Sequence, residues 1–377
     1  STLTSFLRLY PNSRYVDEAE SIRRQALRGN TDEEEVFKLG IILPATGESG
    51  YLAQALFNGV RLAVDRYNNR APERPVQLVF RDTEGTDVGA QSAMDLVVRE
   101  RVEAVIGPLF SHEALAAAGT AERDRIVLIA PLATDEEVSG QRSYVFQANP
   151  TFAMRGRAMA RFVMEQVGLT RLAVVADQSE NGNAMAAGFE AEVLRRNGSV
   201  IVSERLTGNN AWGRLHEIPA LHQLGLAEAV YLPVSGSDAA QNAADALRGL
   251  EALGLEGITR VLGNTEWEGL SASRGRASRF QALFTQDYHV DEVAATDFLV
   301  RYRELAEIPA DRLALIGYDT ATFLLQAIAE GPSDLAARLR TAPALRGLAH
   351  RIEFDGEQVN QSLFIMAYED GEPVLIY

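Results

Sequence analysis

Cysteine is absent from this chain of 377 residues, and lysine occurs only once, at position 38. Without a thiol, the chain can form no disulfide, no thiolate metal site and no cysteine nucleophile. With Lys38 as its single lysine, it can have neither a phosphate-loop lysine nor a Schiff base at any other position. These absences exclude several classes of metalloprotein and enzyme.

Positive charge is outweighed by negative charge. The 36 lysine and arginine residues stand against 52 aspartate and glutamate residues, which gives a formal net charge of -16. Such a chain is repelled by nucleic acid and by anionic membranes, so we expect no nucleic-acid partner. The sequence shows neither a transmembrane segment nor a signal peptide. Because the chain starts at Ser1 without a methionine, it looks trimmed, and export cannot be judged from this end.

Catalytic and metal-binding patterns are also scarce. The histidines are scattered, and His216 and His222 are separated by Pro219, so they cannot share one metal on one helical face. Neither a Gly-x-Ser-x-Gly elbow nor a Gly-x-Gly-x-x-Gly fingerprint occurs. We therefore predict no catalytic residue, no metal and no cofactor, and a protein that is not an enzyme.

What the chain does have is a regular alternation of short apolar runs with longer amphipathic stretches. The apolar runs are 39–43, 76–81, 102–106, 126–130, 171–176, 199–204, 228–234 and 259–263. The amphipathic stretches are 52–70, 87–101, 113–124, 152–167, 183–197, 212–224 and 238–253. Runs rich in Val, Ile and Leu at this spacing predict βαβ units and parallel sheets, an α/β fold. A chain of this length with 46% hydrophobic residues predicts two domains or lobes.

Two apolar segments, 38–44 and 102–111, each stop at a turn that is followed by a helix-like segment. Such turns are the carboxyl ends of parallel strands, the edge at which open α/β sheets bind ligands. Ser111 stands where the second of these helices begins, so its hydroxyl and the unpaired N–H groups of the first turn face that edge. We expect an anionic small molecule to bind there.

Two Asp-Gly pairs near the carboxyl terminus follow short apolar runs. Asp355-Gly356 comes after residues 351–354, and Asp370-Gly371 comes after residues 364–367. An Asp-Gly pair beside such a run is typical of a β-hairpin. We therefore predict hairpin turns at both positions.

Residues 1–36 have a different pattern. Ser13 is placed to begin a helix over 14–28 and Gly29-Asn30 to end it, and an acidic linker follows. Residues 9–19 resemble the junction between helices in tetratricopeptide-like repeats. One such unit cannot bury its own apolar face, so either further repeats precede Ser1 or this helix packs on the first lobe. The alternative is an ordinary leader helix.

Five segments together resemble a known family. They are 41–47 (IILPATG), 58–68 (NGVRLAVDRYN), 105–108 (VIGP), 129–134 (IAPLAT) and 317–321 (GYDTA). In order and spacing they are similar to type I periplasmic solute-binding proteins, in the branch that binds leucine, isoleucine and valine. The resemblance implies two Rossmann-like lobes with parallel sheets, joined by three crossing strands near Ala148, Tyr288 and Gly347. Lobe one would be 37–148 plus 289–346, and lobe two 149–288 plus 347–377, preceded by the short helical segment.

The same resemblance implies where a ligand binds. Ser111 and Thr134 align with a serine and a threonine that hold the ligand carboxylate through hydroxyl and N–H donors, which suits an anion. For both residues, the alternative interpretation is an ordinary helix N-cap. Phe110 and Leu132 would supply walls and a backbone carbonyl. Tyr51 would be the aromatic residue of the first lobe.

The remaining pocket positions limit the prediction of the ligand. Asn181 stands where relatives have an aromatic residue, and an amide cannot close over an aliphatic side chain as tyrosine does. The acidic residue that would take the ligand ammonium is Glu266, although strict alignment gives Thr265. Ser235 follows the 228–234 run at the same edge, and Trp267 is either a cleft wall or a surface-helix residue. We therefore expect a pocket more polar than that of a leucine-specific relative.

These residues leave three candidate functions. The first is an extracytoplasmic solute-binding protein that captures a small polar ligand, an amino acid or related carboxylate, and presents it to the membrane subunits of an ABC transporter. The second is a cell-envelope lipoprotein, resembling activators of peptidoglycan synthases, that uses the same fold to bind a protein partner. The third, an amidase or deaminase, lacks a nucleophile–base pair. The Ser111 and Thr134 pair favours the first function, and the repeat-like helix favours the second.

Overall fold

The computed structural model describes residues 36–47, 49–207, 211–331 and 334–377. The predicted helix over 14–28, its tetratricopeptide-like pattern and the acidic linker lie outside the described residues. Among the described helices, none combines the length and the apolar character that a membrane crossing would need.

The first sheet has five parallel strands in the order β2-β1-β3-β4-β5. They are β1 (Phe37–Leu43), β2 (Val76–Asp82), β3 (Ala104–Ile106), β4 (Val127–Ala130) and β5 (Val145–Gln147). Ile41 and Ile42 lie in different apolar clusters, so both faces of the sheet are covered. That arrangement explains why the strands have continuous apolar runs, and the predicted strands at 39–43, 76–81, 102–106 and 126–130 are confirmed.

Helices cover the first sheet. Four follow its strands: α1 (Gly50–Asn68), α2 (Asp87–Arg99), α3 (Ser111–Asp124) and the short α4 (Glu136–Ser139). Helices from later in the chain contribute Phe298, Leu324 and Leu339 to the same core. We call this sheet and its helices the first lobe.

The second lobe repeats the arrangement around a sheet of seven strands. Its parallel strands are β6 (Arg171–Asp177), β7 (Ser199–Leu206), β8 (Ala229–Tyr231), β9 (Arg260–Gly263) and β10 (Leu283–Gln286). Its helices are α5 (Phe152–Phe162), α6 (Glu180–Arg195), α7 (Ala239–Ala252) and α8 (Arg274–Arg279). The predicted strands at 171–176, 199–204, 228–234 and 259–263 are confirmed, so the expected α/β fold with two parallel sheets is present.

Two predicted helices differ, and in one of them, 152–167, the last turn is a π-helix over Val163–Val167. The amphipathic stretch 212–224 forms two 3₁₀ segments, Ala211–Glu217 and Pro219–Leu226, with Ile218 between them. Pro219 has no N–H and its ring clashes with the preceding turn, so a continuous α-helix cannot pass through it. Its apolar residues Trp212, Leu215 and Leu221 are nevertheless buried.

The later part of the chain returns to both lobes. Helices α9 (Glu292–Ala306), α10 (Arg312–Ala329) and α11 (Leu335–Thr341) belong to the first lobe, and β11 (Leu345–Arg346) pairs with β12 (Arg351–Ile352). Then β13 (Phe364–Glu369) pairs antiparallel with β10, and β14 (Glu372–Leu375) pairs antiparallel with β13. Asp370 and Gly371 have φ angles of 50° and 83°, which confirms the second predicted hairpin turn. At Asp355-Gly356 a turn forms, but the strand before it, β12, pairs with the preceding strand β11, so the hairpin predicted at this position is wrong.

The chain passes between the lobes in three segments. Ala349, Ile352 and Phe354 still pack in the first core, so the third passage comes after Phe354, later than the expected position near Gly347. Asn360 joins this third passage to the first by donating to the carbonyl of Ala148 at 2.9 Å. The lobe boundaries otherwise remain predictions.

Asp319, from the 317–321 segment, anchors the loop before the third passage. Its carboxylate accepts hydrogen bonds from the N–H groups of Leu348, Ala349 and His350 at 2.8–2.9 Å. A Cβ on Gly347 would lie 2.4 Å from its Cγ, so only glycine fits there. Burial raises the pKa of Asp319 to about 6, even though the three N–H donors favour the charged form.

Each lobe contains one pair of helices in backbone contact. A Cβ on Gly59 of α1 would lie 1.9 Å from the carbonyl oxygen of Ala314 in α10. In the second lobe, a Cβ on Gly156 of α5 would lie 1.9 Å from the carbonyl oxygen of Met185 in α6. Both contacts therefore require glycine, and each pairs the helices closely within its lobe.

Candidate functional site

A chain of hydrogen bonds joins the strand-end loops of the two lobes. Asn149, on the first passage between lobes, donates to the carbonyl oxygen of Leu132, after β4, at 3.1 Å. Arg155, near the start of α5, donates to Asn149 Oδ1 at 3.2 Å and to Thr265 Oγ1, after β9, at 3.1 Å. The carboxyl-end loops of both sheets therefore meet at one place, which we call the interlobe cleft.

The floor of the cleft has a buried ion pair. Arg155 Nη2 lies 2.9 Å from Asp287 Oδ2, and only 9% and 4% of these side chains are exposed. Arg312, at the start of α10, lies 3.0 Å from the other oxygen of Asp287, and its guanidinium covers the ring of Tyr288. Burial disfavours the Asp287 carboxylate, but Arg155 and Arg312 lower its pKa to about 2. Two arginines share one carboxylate, so the cluster carries one net positive charge.

Ser111 and Thr134 are brought together on the first lobe. The Ser111 hydroxyl accepts hydrogen bonds from the N–H groups of Thr134 at 3.2 Å and of Asp135 at 3.3 Å. The N-cap interpretation is wrong for both residues, because Phe110 is the N-cap of α3 and the Asp135 side chain caps α4. The Thr134 N–H is thus engaged, and the two hydroxyls are the donors that can face a ligand.

A buried carboxyl group holds the turn that carries Ser111, and its residue was not among the predicted site residues. Glu113 is fully buried and accepts hydrogen bonds from the Thr83 hydroxyl and, at 3.3 Å, from the Phe110 N–H. Burial raises the pKa of Glu113, which favours its protonated form more than in water. This contact fixes the turn after β3 at the cleft edge.

On the second lobe, the expected pocket positions share one rim. Ser179 is the N-cap of α6, and its hydroxyl lies 2.7 Å from the hydroxyl of Ser235, after β8. Asn181 is partly buried in the first turn of the same helix. Ser179 was not among the predicted site residues, although the Asp177-x-Ser179 pattern before a helix is a capping signal.

Other expected residues are placed less favourably. Tyr51 is 71% exposed in the first turn of α1, and Glu266 is exposed beside Thr265. The carbonyl of Leu132 already accepts from Asn149, and the Phe110 ring stacks on His112 at 5.9 Å.

Both interpretations of Trp267 are wrong. The side chain is fully buried, packs in the second-lobe core and donates from Nε1 to the carbonyl of Leu232 at 3.0 Å. A large apolar ring with one N–H is stable in a core when that N–H finds an acceptor. Trp267 therefore holds the turn after β9 from inside rather than lining the cleft.

Metal binding has no support in the described part of the chain. No group of three or more His, Cys, Asp or Glu side chains there is arranged to hold a metal ion.

Comparison with known proteins identifies the family. The model of the "Periplasmic binding protein" family matches residues 36–372. The chain belongs to the periplasmic binding protein family. This is a family of solute-binding transport proteins, not a family of enzymes.

One curated relative and two solved structures illustrate the likeness of this periplasmic binding protein. The Leu/Ile/Val-binding protein BraC3 of Rhizobium johnstonii is 21% identical over 347 residues, 89% of this chain and 92% of the relative. A crystal structure from Rhodospirillum rubrum, assigned to branched-chain amino acid ABC transport, is 22% identical with a TM-score of 0.71, covering 90% of this chain and all of that one. A solute-binding protein from Rhodopseudomonas palustris BisB5, in complex with 3,4-dihydroxybenzoic acid, is 16% identical with a TM-score of 0.54 and covers 91% of this chain and 96% of its own.

Proposed function

We propose that this periplasmic binding protein captures a small carboxylate, an amino acid or related acid, in the interlobe cleft and presents it to an ABC transporter outside the cytoplasm. The pairing of Ser111 with Thr134 in the first lobe, together with the Arg155–Thr265 contact in the second, carries this proposal. Hydroxyl donors and a net positive cluster suit an anion on both sides of the cleft. Contacts from one ligand to both lobes would stabilise a closed arrangement over an open one.

The relatives support a carboxylate in general rather than one acid. The Rhizobium relative is named for leucine, isoleucine and valine, and the Rhodopseudomonas protein holds a dihydroxybenzoic acid. These ligands differ in side chain and share a carboxyl group. The Ser111 and Thr134 hydroxyls are the groups in this chain that fit the shared part.

We expect polar acids to bind better than leucine or isoleucine. Apolar side chains gain about 25 cal/mol per Å² only where the walls exclude water, and the amide of Asn181 at the rim forfeits part of that gain. A thermal-shift panel of amino acids, hydroxy and oxo acids and short polar peptides checks this, and the largest shift should come from a polar member. If leucine gives the largest shift and Ser111→Ala abolishes that shift, the ligand is a branched-chain amino acid, as the family resemblance implies.

The partner-binding alternative has its own outcome in the same panel. Residues 9–19 favour a repeat array, as in envelope proteins that bind protein partners. No shift with any member of the panel would favour that role over ligand capture.

Ser111→Ala should weaken binding of an acid that gives a shift by about 1.5–3 kcal/mol, the usual net worth of a hydrogen bond to a charged group. Calorimetry on wild type and variant measures the difference directly. Ser143→Ala, two residues before β5, is the matched control, since its N–H rather than its hydroxyl bonds to Glu122. Unchanged affinity for Ser111→Ala would assign Ser111 only to the Thr134–Asp135 loop.

A further inference from the structure

We infer that the cleft selects acids that lack an α-ammonium group, such as 2-oxo or 2-hydroxy acids, and that Arg155 and Thr265 determine this choice. The inference rests on the proposed function and narrows its carboxylate to one class. Thr265, after β9, is the residue that strict alignment places where relatives bind the ligand ammonium. The contacts around it now argue against an ammonium there.

Arg155 is held in one place by several acceptors. Its guanidinium donates to Thr265 Oγ1, Asn149 Oδ1 and Asp287 Oδ2 at 3.1, 3.2 and 2.9 Å, and its Nε donates to the carbonyl of Pro150 at 3.4 Å. A planar guanidinium with bonds on this many sides has little freedom to turn away. Its position behind Thr265 is therefore a fixed feature of the cleft floor.

This contact sets the polarity of the Thr265 hydroxyl. The oxygen accepts a hydrogen bond from Arg155, which leaves the hydroxyl hydrogen and one lone pair for other partners. That hydrogen suits an acceptor on the ligand, such as a carbonyl or hydroxyl oxygen. A ligand ammonium could reach only that remaining lone pair, next to the charged guanidinium that occupies the other one.

Charge acts in the same direction. Arg155 and Arg312 share the single carboxylate of Asp287, so the cluster would repel a ligand ammonium at short range. The hydroxyl of Tyr231 is buried near Arg155 and is neutral, since burial raises its pKa. Glu266 adjoins Thr265 but is exposed, and exposed ion pairs contribute little.

Matched pairs of acids test the inference on the wild-type protein. Isothermal titration should compare pyruvate with L-alanine, 2-oxoglutarate with L-glutamate, and 4-methyl-2-oxopentanoate with L-leucine. We expect the oxo acid of the best-binding pair to bind at least about tenfold tighter than its amino acid, roughly one good polar contact. Equal or tighter binding of the amino acids would overturn the inference and leave the proposed function standing. Failure of all six acids to bind would overturn the inference, and the absence of a shift with every member of the wider thermal-shift panel would also overturn the proposed function.

Substitutions assign the effect to its residues. The charge-balanced double variant Arg155→Gln, Asp287→Asn should reduce the preference for the oxo acid to below about threefold, because it removes the guanidinium that is bonded to Thr265, while Arg312 keeps the net charge of the cluster unchanged. Arg157→Gln, an exposed arginine two positions along the same helix, is the matched control and should leave the preference unchanged. An unchanged preference in the double variant would contradict the role of Arg155.

A near-isosteric variant keeps the test independent of the ion pair. Thr265→Val removes the hydroxyl donor and leaves Arg155 and Asp287 in place. It should weaken binding of the oxo acid by about tenfold and change the affinity of the amino acid much less, since only the oxo acid uses that donor. Equal weakening of both acids would mean that Thr265 supports the loop rather than selects the ligand. Glu266→Gln should change neither affinity, and loss of amino-acid binding there would identify Glu266 as the ammonium partner and overturn the inference.

Discussion

Asp287→Ala should lower the free energy of unfolding by about 3–5 kcal/mol, because it leaves a buried guanidinium without its counter-charge. Arg155 is 9% exposed and lies 2.9 Å from the Asp287 carboxylate. The carboxylate also holds Arg312, so its loss frees two arginines at once. Urea unfolding near neutral pH measures the change.

A surface ion pair provides the control for this prediction. Asp297 and Arg301 lie 3.1 Å apart on α9 with 67% and 58% of their side chains exposed, so Asp297→Ala should cost less than about 0.5 kcal/mol. The double variant Arg155→Gln, Asp287→Asn should be more stable than Asp287→Ala, since neither buried charge is left alone. If Asp287→Ala lowers the free energy of unfolding no more than Asp297→Ala does, water reaches Arg155 freely.

Between pH 7 and pH 4, the free energy of unfolding should fall by about 3 kcal/mol less in His350→Met than in the wild type. His350 is buried, and burial, with Arg312 and Arg155, lowers its pKa from 6.5 to about 4 although Asp287 opposes them. The folded pKa lies below the unfolded one, so this histidine contributes its full stability above pH 6.5 and loses it as pH falls toward 4. The gap corresponds to about 3 kcal/mol, at about 1.4 kcal/mol for each pH unit.

Asp319 has the opposite dependence in the same range. Its folded pKa of about 6 lies above the ordinary 3.8, so its contribution is present at low pH and is lost as pH rises through 6. The two groups partly cancel in the wild type, and His350→Met should reveal the Asp319 contribution as a protein that becomes more stable on mild acidification. Urea unfolding at pH 7 and pH 4 measures this, with the exposed His222→Met as the control. If the free energy of unfolding of His350→Met equals that of the wild type at both pH values, His350 does not cause the pH dependence.

The sequence predicted the architecture well where burial leaves a continuous apolar run. The strands at 39–43 and 171–176 are covered on both faces, so nearly every residue in them is Val, Ile, Leu or another small apolar residue. Strands β5 (VFQ) and β10 (LFTQ) each have only two consecutive apolar residues before a polar end, so they lack such a run, and neither was predicted. The 212–224 stretch had the right burial but the wrong helix type, because Pro219 controls the backbone there.

The cleft floor could not be predicted in the same way. Arg155 meets Thr265 and Asp287 at separations of 110 and 132 residues, and nothing local marks it within a stretch that reads as an amphipathic helix. Ser111 was proposed because it follows a recognisable strand and turn, and Thr134 because of the family resemblance; their role in ligand binding stays a prediction. Trp267 was misread because its buried N–H partner, the carbonyl of Leu232, lies 35 residues away.

The close contacts at Gly59 and Gly156 hold one helix pair in each lobe backbone to backbone, so each lobe can move as a rigid arm. Any change in the angle between the arms then has to be absorbed by the three passages, not within a lobe. Since the chain has no cysteine of its own, thiols introduced at Val88 and Leu226, 78% and 64% exposed in the first and second lobes, would be its only dye-labelling sites. Energy transfer between two dyes there would report the opening angle itself, one molecule at a time, without a transporter present.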